Sequence, residues 1–122
     1  MPTFSLTAAV LDTPDPRGLA RFYQRLLGWE LGEDDPEWAT LLPGGGGTGL
    51  SFQREEDHVP PVWPARPGDP RMQLHLDIEV DDLTAAVADA VAAGARVAGF
   101  QPQEHVRVCL DPAGHPFCLY VS

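Results

Sequence analysis

The chain has 122 residues, of which 18 are acidic and 8 are basic, and its formal net charge is −10. This charge repels nucleic-acid phosphates and acidic membrane surfaces, so we expect neither as a partner. A hydrophobic content of 43% is typical of a folded globular protein, and no apolar run is long enough to cross a bilayer. The N-terminal segment has no basic region ahead of an apolar stretch, so we expect a cytoplasmic protein with reduced cysteines.

A strand followed by a capped helix is the first unit that the sequence predicts. Asp15 can cap the helix, Pro16 suits its first position, and Gly28 suits its left-handed end. The apolar residues between them recur at helical spacing, namely Leu19, Phe22, Tyr23, Leu26 and Leu27. Three strand candidates follow, "WELGE", "EWATLL" and "TGLSFQ", and turn signals separate them.

The same order of signals returns in the second half of the chain. The segment "MQLHLDIEV" predicts a strand, Asp82 can cap the next helix, and Gly94 can end it. The apolar positions of this helix are Leu83, Ala86, Val87, Ala90 and Val91. The strand candidates "ARVAGF", "HVRVCL" and "PFCLYV" then follow. Each half therefore reads as β-α-β-β-β, which indicates a duplicated unit and an α+β fold.

The two halves are joined by a segment rich in proline. Five prolines fall within residues 60–70, so this piece is poor material for a helix or a central strand. We therefore expect a first module over residues 1–53, a linker over 54–70 and a second module over 71–122, within a single domain that spans residues 1–122.

Two segments resemble a known superfamily. The helix start "DPRGLARFYQRLLGWEL" and the ending "LDPAGHPFCLYV" are similar to signatures of the vicinal oxygen chelate superfamily. That group includes glyoxalase I, fosfomycin-resistance enzymes, extradiol dioxygenases and bleomycin-resistance proteins. The resemblance implies two βαβββ modules that form a cupped mixed sheet, a small organic molecule bound in the cup, and a homodimer.

The resemblance also implies where a metal would be held, on the first and last strands of each module. The matching positions in this chain are Ala8, Ser51, His75 and Cys118, and Gln53 lies two residues beyond Ser51 on the same strand. At the position of Cys118 the superfamily usually has Glu. Ala8 offers no ligand atom and Ser51 a poor one, so no cofactor is firmly expected. A weakly held divalent metal such as Zn²⁺ or Ni²⁺, on His75 and Cys118, is the open alternative.

The predicted strand around His75 has one polar face. His75 and Asp77 lie on that face by alternation, where they would line the cup as ligands or acid/base groups; the alternative is a solvated strand face. Trp63 could cover the mouth of a pocket or anchor the linker to the sheet.

Two cysteines lie on the last two predicted strands. A loop that places Val108 opposite Leu119 would put Cys109 opposite Cys118, with Arg107 on the same face by alternation. This geometry could permit a disulfide, although a reducing compartment disfavours it. Alternatively, Arg107 or His75 could activate a thiol, or both thiols could simply be small half-buried side chains.

Two hypotheses for the function follow. The first is a glyoxalase-like lyase or isomerase with catalytic candidates His75, Arg107 and Cys118. The second is a non-catalytic binding protein of the bleomycin-resistance type. In both, the expected ligand-binding residues line the cup; they are Ala8, Trp38, Ser51, Gln53, Trp63, His75, Asp77, Cys118 and Tyr120.

Overall fold

A computed structural model describes residues 2–122, and these residues form two compact units. The first unit ends at His58 and contains β1 (Ala8–Thr13), α1 (Pro16–Leu27), β2 (Glu30–Asp35), β3 (Trp38–Leu42) and β4 (Gly49–Arg54). The second unit begins at Val59 and contains β5 (Leu76–Glu79), α2 (Leu83–Ala93), β6 (Arg96–Val97), β7 (Val106–Leu110) and β8 (Pro116–Tyr120). The predicted β-α-β-β-β order of each half is confirmed.

The sheet of the first unit has the strand order β1-β4-β3-β2, with β1 parallel to β4 and the other pairs antiparallel. Helix α1 packs on one face of this sheet, where Tyr23 stacks on Phe52 with ring centroids 6.0 Å apart. Leu19 and Leu41 are also buried there. The opposite face of the sheet therefore stays available for other contacts.

Both predicted helix caps of the first unit are confirmed. The Asp15 carboxylate accepts a hydrogen bond from the Gly18 backbone N–H at 3.1 Å. Gly28 has φ of 69° and donates its N–H to the Gln24 carbonyl, which closes the last turn in a left-handed conformation that glycine adopts without strain. These two ends fix the helix between β1 and β2.

The second unit repeats this arrangement, with the strand order β5-β8-β7-β6 and β5 parallel to β8. Helix α2 begins at the Asp82 cap, whose carboxylate accepts from the Ala85 N–H at 3.1 Å. The predicted buried stripe of this helix is wrong at Val91, which is 47% exposed, whereas Ala90 is buried. An alanine-rich helix is apolar on every side, so its sequence does not identify the face that packs.

Several strands are shorter than their sequence pattern predicts. Strand β5 begins at Leu76, so His75 lies one residue before it. Strand β6 covers only Arg96 and Val97; beyond it the Ala98 N–H still donates to the Val108 carbonyl at 3.0 Å, and the Gln101 side chain also binds the backbone of Val108. Its amide oxygen accepts from the Val108 N–H at 3.0 Å, and its amide nitrogen donates to the Val108 carbonyl at 3.0 Å.

The proline-rich segment belongs largely to the second unit, since the division between the units follows His58. The Val62 N–H donates to the Pro70 carbonyl at 2.8 Å, and Val62 forms a short parallel bridge with Arg71. This segment therefore folds back on itself and is ordered by its own backbone bonds. Within residues 2–122, neither helix has the length and apolar character that a membrane span requires.

Candidate functional site

The second unit contains an open cavity of about 410 Å³. Five side chains that the sequence selects as ligand-binding candidates line it, and these are Trp63, His75, Asp77, Cys118 and Tyr120. They come from the proline-rich segment, from the start of β5 and from β8. Residues that are distant in the sequence therefore meet at one concave surface.

Strand register explains this convergence. Asp77 on β5 lies opposite Cys118 on β8, and Cys118 lies opposite Val108 on β7. Directly opposed residues in neighbouring strands present their side chains to the same face of the sheet. Tyr120 and its partner Val106 follow on the same face, two residues along. The floor of the cavity is thus one face of three adjacent strands.

An imidazole and a carboxylate form the polar end of the cavity. His75 Nε2 lies 3.1 Å from Asp77 Oδ1, and their side chains are 30% and 62% exposed. His75 directly precedes β5 and Asp77 lies within it, so only Leu76 separates the two residues. The carboxylate fixes the orientation of the imidazole, which is the arrangement that a general base or a metal ligand needs.

Trp63 forms a side wall against this pair. Its indole stacks on the His75 ring, with centroids 5.0 Å apart and an interplanar angle of 26°. Phe100 contacts the indole edge-on at 5.7 Å. The two roles that the sequence left open for Trp63 are therefore compatible, since the side chain is held in place by aromatic contacts and also lines the cavity.

The Cys118 thiol is buried at the base of the cavity. Burial raises the pKa of this thiol, and the neighbouring Asp77 carboxylate raises that pKa further. Burial likewise raises the pKa of the Cys109 thiol to about 11, with a further contribution from Cys118. Since the thiolate is the nucleophilic form, this environment disfavours cysteine nucleophilic chemistry at neutral pH.

The predicted pairing of the last two strands is wrong by one residue. Cys109 lies opposite Phe117 and Arg107 lies opposite Leu119, so both point to the sheet face away from Cys118. The Arg107 guanidinium instead donates to the carbonyls of Val106 and Glu104, each at 2.9 Å. Arg107 therefore cannot serve the cavity as predicted, and the two thiols do not form the expected cross-strand pair.

Three potential metal ligands are grouped in this cavity. One ligand atom each from His75, Asp77 and Cys118 lies within 4.8 Å of the other two. The sequence placed His75 and Cys118 at metal positions by resemblance, and Asp77 joins them through its register with Cys118. The three residues combine a nitrogen, an oxygen and a sulfur donor on one wall.

The first unit has its own cavity of about 410 Å³ on the sheet face opposite α1. Ala8, Ser51 and Trp38 line it. Gln53 lies on the same face, where its side-chain amide donates to Asp12 Oδ1 at 2.8 Å. These four candidates are thus neighbours, but Ala8 carries no donor atom. The set Ala8, Ser51, His75 and Cys118 does not fit the four-residue metal centre that the resemblance implies.

Four residues that the sequence did not predict also line the second cavity, namely Pro102, Gln103, Val106 and Val108. Val106 and Val108 were assigned to the opposite face by the wrong register. Pro102 and Gln103 lie in the connection before β7, which Gln101 holds through its side-chain amide. The sequence predicted a strand over "ARVAGF" and gave no signal that it would end at Val97 or that Gln101 would hold the connection that follows.

Solved structures with the same fold span almost the whole chain. A glyoxalase/bleomycin resistance protein/dioxygenase family enzyme from Burkholderia phytofirmans PsJN is 20% identical, with a TM-score of 0.72 over 97% of this chain and 98% of that one. A glyoxalase-related enzyme from Fulvimarina pelagi is 22% identical, with a TM-score of 0.65 over 97% and 88%. TnmS3, an antibiotic binding protein from Streptomyces sp. CB03234, is 23% identical, with a TM-score of 0.62 over 99% and 98%.

These likenesses establish the fold with two βαβββ units, which the sequence predicted. No curated protein sequence matches the chain. The family model described as "Glyoxalase-like domain" matches residues 8–120, from the first residue of β1 to the last residue of β8. The chain therefore belongs to the glyoxalase-like domain family.

Proposed function

We propose that the chain binds a small organic molecule in the cavity of the second unit and that it does so without the usual metal centre of its superfamily. The observation that carries this proposal is the convergence of five predicted residues on one cavity of about 410 Å³. This volume falls within the range of roughly 300–1,000 Å³ that is typical of small-molecule sites.

The side chains that line the second cavity indicate which kind of molecule would fit there. Trp63 and Tyr120 offer aromatic surface, and Val106 and Val108 add apolar contacts. His75 and Asp77 supply hydrogen-bonding groups at one end. A molecule with an apolar or aromatic body and one polar group matches this arrangement, because the body is buried while the polar group is paired.

The donor atoms support a binding site that lacks the superfamily's four-ligand centre. Ala8 stands at one of the four positions and has only a methyl group. Ser51 stands at another, on the buried part of β4, and a neutral hydroxyl is a poor substitute for imidazole or carboxylate. Only two of the four positions retain a good ligand.

Two features favour binding over catalysis. The pKa of the Cys118 thiol is raised by burial and by Asp77, so this residue is not an activated nucleophile. Arg107, the predicted cationic group, points away from the cavity. Among proteins with this fold, TnmS3 is an antibiotic binding protein, which is consistent with such a role.

The alternative is a glyoxalase-like lyase or isomerase, and one observation favours it. His75 is oriented by Asp77 at 3.1 Å inside the cavity, and an imidazole held in this way could take a proton from a bound substrate. This alternative would be supported if the protein converted a bound substrate, and if His75→Ala abolished the conversion while Trp38→Ala retained it.

The proposal is tested by binding measurements with defined probes. Bleomycin and a panel of small aromatic compounds would be titrated into the protein, with tryptophan fluorescence and calorimetry as readouts. We expect at least one compound to bind, and Trp63→Ala to weaken it while Trp38→Ala, the matched change in the first unit, leaves it unaltered. Binding that depends on Trp38 alone would contradict the assignment to the second cavity.

We also propose that the protein forms a homodimer. Phe4 and Leu6 of the first unit are 93% and 78% exposed, and a contact between two copies would remove this apolar surface from water. Sedimentation velocity would show a dimer for the native chain and a shift towards monomer for the Phe4→Ser, Leu6→Ser double variant. A native chain that is monomeric throughout the concentration series would contradict this assembly.

A further inference from the structure

We infer that the molecule bound in the second cavity is an organic cation, an amine or a quaternary ammonium compound with an aromatic body. This inference rests on the proposed function and adds the charge of the ligand to it. It depends on the charges around the cavity. Asp77 lines the cavity and Glu79 lies two residues further along the same face of β5, whereas within residues 2–122 no arginine lines it.

Strand β5 presents two carboxylates on the cavity side of the sheet. Asp77 lies opposite Cys118 on β8, and Glu79 follows it by two residues. Both acidic residues are exposed, and they share the face that forms the cavity floor. His75 Nε2 contacts Asp77 through Oδ1, at 3.1 Å, so Oδ2 remains as an acceptor for an N–H group of the ligand. A charge-assisted hydrogen bond of this kind favours an ammonium group over a neutral donor.

The arginine on the three strands of the cavity floor points away from the cavity. Arg107 lies on the other face of the sheet, and its guanidinium donates to the carbonyls of Val106 and Glu104. The chain has no lysine, because all eight of its basic residues are arginines. The imidazole of His75, which can also carry a positive charge, already faces the Asp77 carboxylate. An anionic ligand would therefore meet carboxylates with no guanidinium to pair with it, whereas a cation would meet the opposite charge.

The electric field of Asp77 reaches the floor of the cavity. The pKa of the Cys118 thiol is raised by burial and then by the Asp77 carboxylate. Because this carboxylate disfavours a negative charge at the cavity floor, it favours a positive charge there through the same Coulomb interaction. The net charge of −10 adds a long-range attraction for cations. The local and the overall charge therefore select the same sign of ligand.

An aromatic ring completes the surroundings of the cation. Tyr120 lies two residues beyond Cys118 on β8 and is therefore a diagonal neighbour of Asp77. Diagonal neighbours on adjacent strands are about 7 to 8 Å apart, so one ammonium group fits between the carboxylate and the ring. The face of a tyrosine ring attracts a cation through its quadrupole. Trp63 and Val106 line the same cavity, where they would contact the apolar body of the ligand.

Three compounds that share a naphthalene body and differ in charge provide the test. Naphthylethylamine is positive at neutral pH, naphthylacetamide is uncharged, and naphthylacetate is negative. Each compound is titrated into the native protein by calorimetry, with a chelator present so that no inorganic cation occupies the carboxylates. We expect the amine to bind at least about tenfold more tightly than the amide, and the acid to bind most weakly. Added salt should weaken the binding of the amine and leave that of the amide unchanged.

Asp77→Asn and Asp89→Asn remove the same charge from two different places. The Asp77 side chain is 62% exposed, so the amide that replaces its carboxylate can be hydrated without a change in the fold. Asp89 is an exposed residue of α2 that does not line the cavity. We expect Asp77→Asn to reduce the preference for the amine over the amide by about fivefold, and Asp89→Asn to leave it unchanged. Tyr120→Leu, which keeps an apolar side chain but removes the ring, should reduce the preference by about twofold to fivefold.

The outcomes separate this inference from the proposed function. If the amide or the acid binds the native protein at least as tightly as the amine, the inference is overturned and the proposed function stands. A preference for the amine that survives in Asp77→Asn would also overturn it, because the charge of the whole chain would then be responsible. If neither these three compounds nor any member of the aromatic panel binds, the proposed function is rejected together with the inference.

Discussion

Asp77 and Cys118 face each other across the parallel strands β5 and β8. Their pairing places a solvent-accessible carboxylate beside a buried thiol, and the pKa of the thiol is raised by burial and by that carboxylate. The same pairing brings His75 to this wall, because it lies on the same side of the chain as Asp77. One strand register therefore determines both the ionisation of Cys118 and the composition of the site.

The raised pKa values predict how stability changes at alkaline pH. Burial raises the pKa of Cys109 from 9.0 to about 11, so the unfolded chain loses this proton first. The stabilisation from the neutral buried thiol is complete below pH 9.0 and is lost as the pH rises towards 11. In urea titrations at successive pH values, Cys109→Ala should show a shallower decline over this window than the native protein. An equal decline in the stability of both proteins would contradict a raised pKa for the Cys109 thiol.

Trp63 is predicted to contribute to stability as well as to binding. Trp63→Ala removes its ring contacts with His75 and Phe100, and aromatic pairs contribute roughly 0.5 to 1.5 kcal/mol each beyond area burial. We expect the free energy of unfolding to fall by about 1 to 3 kcal/mol, as measured by urea denaturation. Trp63→Phe should recover part of this loss, and an unchanged stability in Trp63→Ala would show that the ring does not pack as described.

Gln101 is predicted to hold the connection that forms one rim of the second cavity. Its side chain bonds both backbone groups of Val108 and also donates to the Ala98 carbonyl at 2.8 Å. Gln101→Ala would leave the Val108 N–H without this partner and should cost about 1 to 3 kcal/mol. Hydrogen exchange should accelerate at the Val108 amide, whereas Gln103→Ala, a change at an exposed neighbour, should not affect it.

Asp111 is predicted to be essential to the turn that leads into β8. It is 1% exposed, and its Oδ1 accepts from the backbone N–H groups of Ala113 and His115, each at 2.9 Å. Asp111→Ala should lower the free energy of unfolding by about 2 to 4 kcal/mol, since both donors lose this acceptor. The exposed Asp81→Ala serves as the control. Equal effects of the two variants on the urea midpoint would contradict this role.

The order of the elements could be predicted because it rests on local signals. Asp15, Asp82, Gly28 and Gly94 mark the helix ends by their side-chain or backbone chemistry, and all four lie at the predicted caps. The candidates around His75 also follow from local rules, since alternation along β5 and β8 puts Asp77, Cys118 and Tyr120 on one face. These residues line the second cavity together.

The register of β7 and β8 could not be predicted from the same rules. The sequence suggested a loop through Pro116, which pairs Leu110 with Phe117. In the structure Asp111 closes a tighter turn, its N–H donates to the His115 carbonyl at 2.9 Å, and Pro116 pairs with Leu110. A shift of one residue moves every side chain to the other face, which is why Arg107 and Cys109 were misassigned.

The central claim is that a small molecule binds in the cavity of the second unit, and the tryptophan indole signals test it most directly. The chain has three tryptophans, whose N–H groups give separate signals in a ¹H–¹⁵N correlation spectrum. During titration with a compound from the aromatic panel, we predict that the Trp63 indole signal shifts together with the backbone amides of Asp77, Cys118 and Tyr120. Shifts confined to the Trp38 indole and the first unit would contradict the claim.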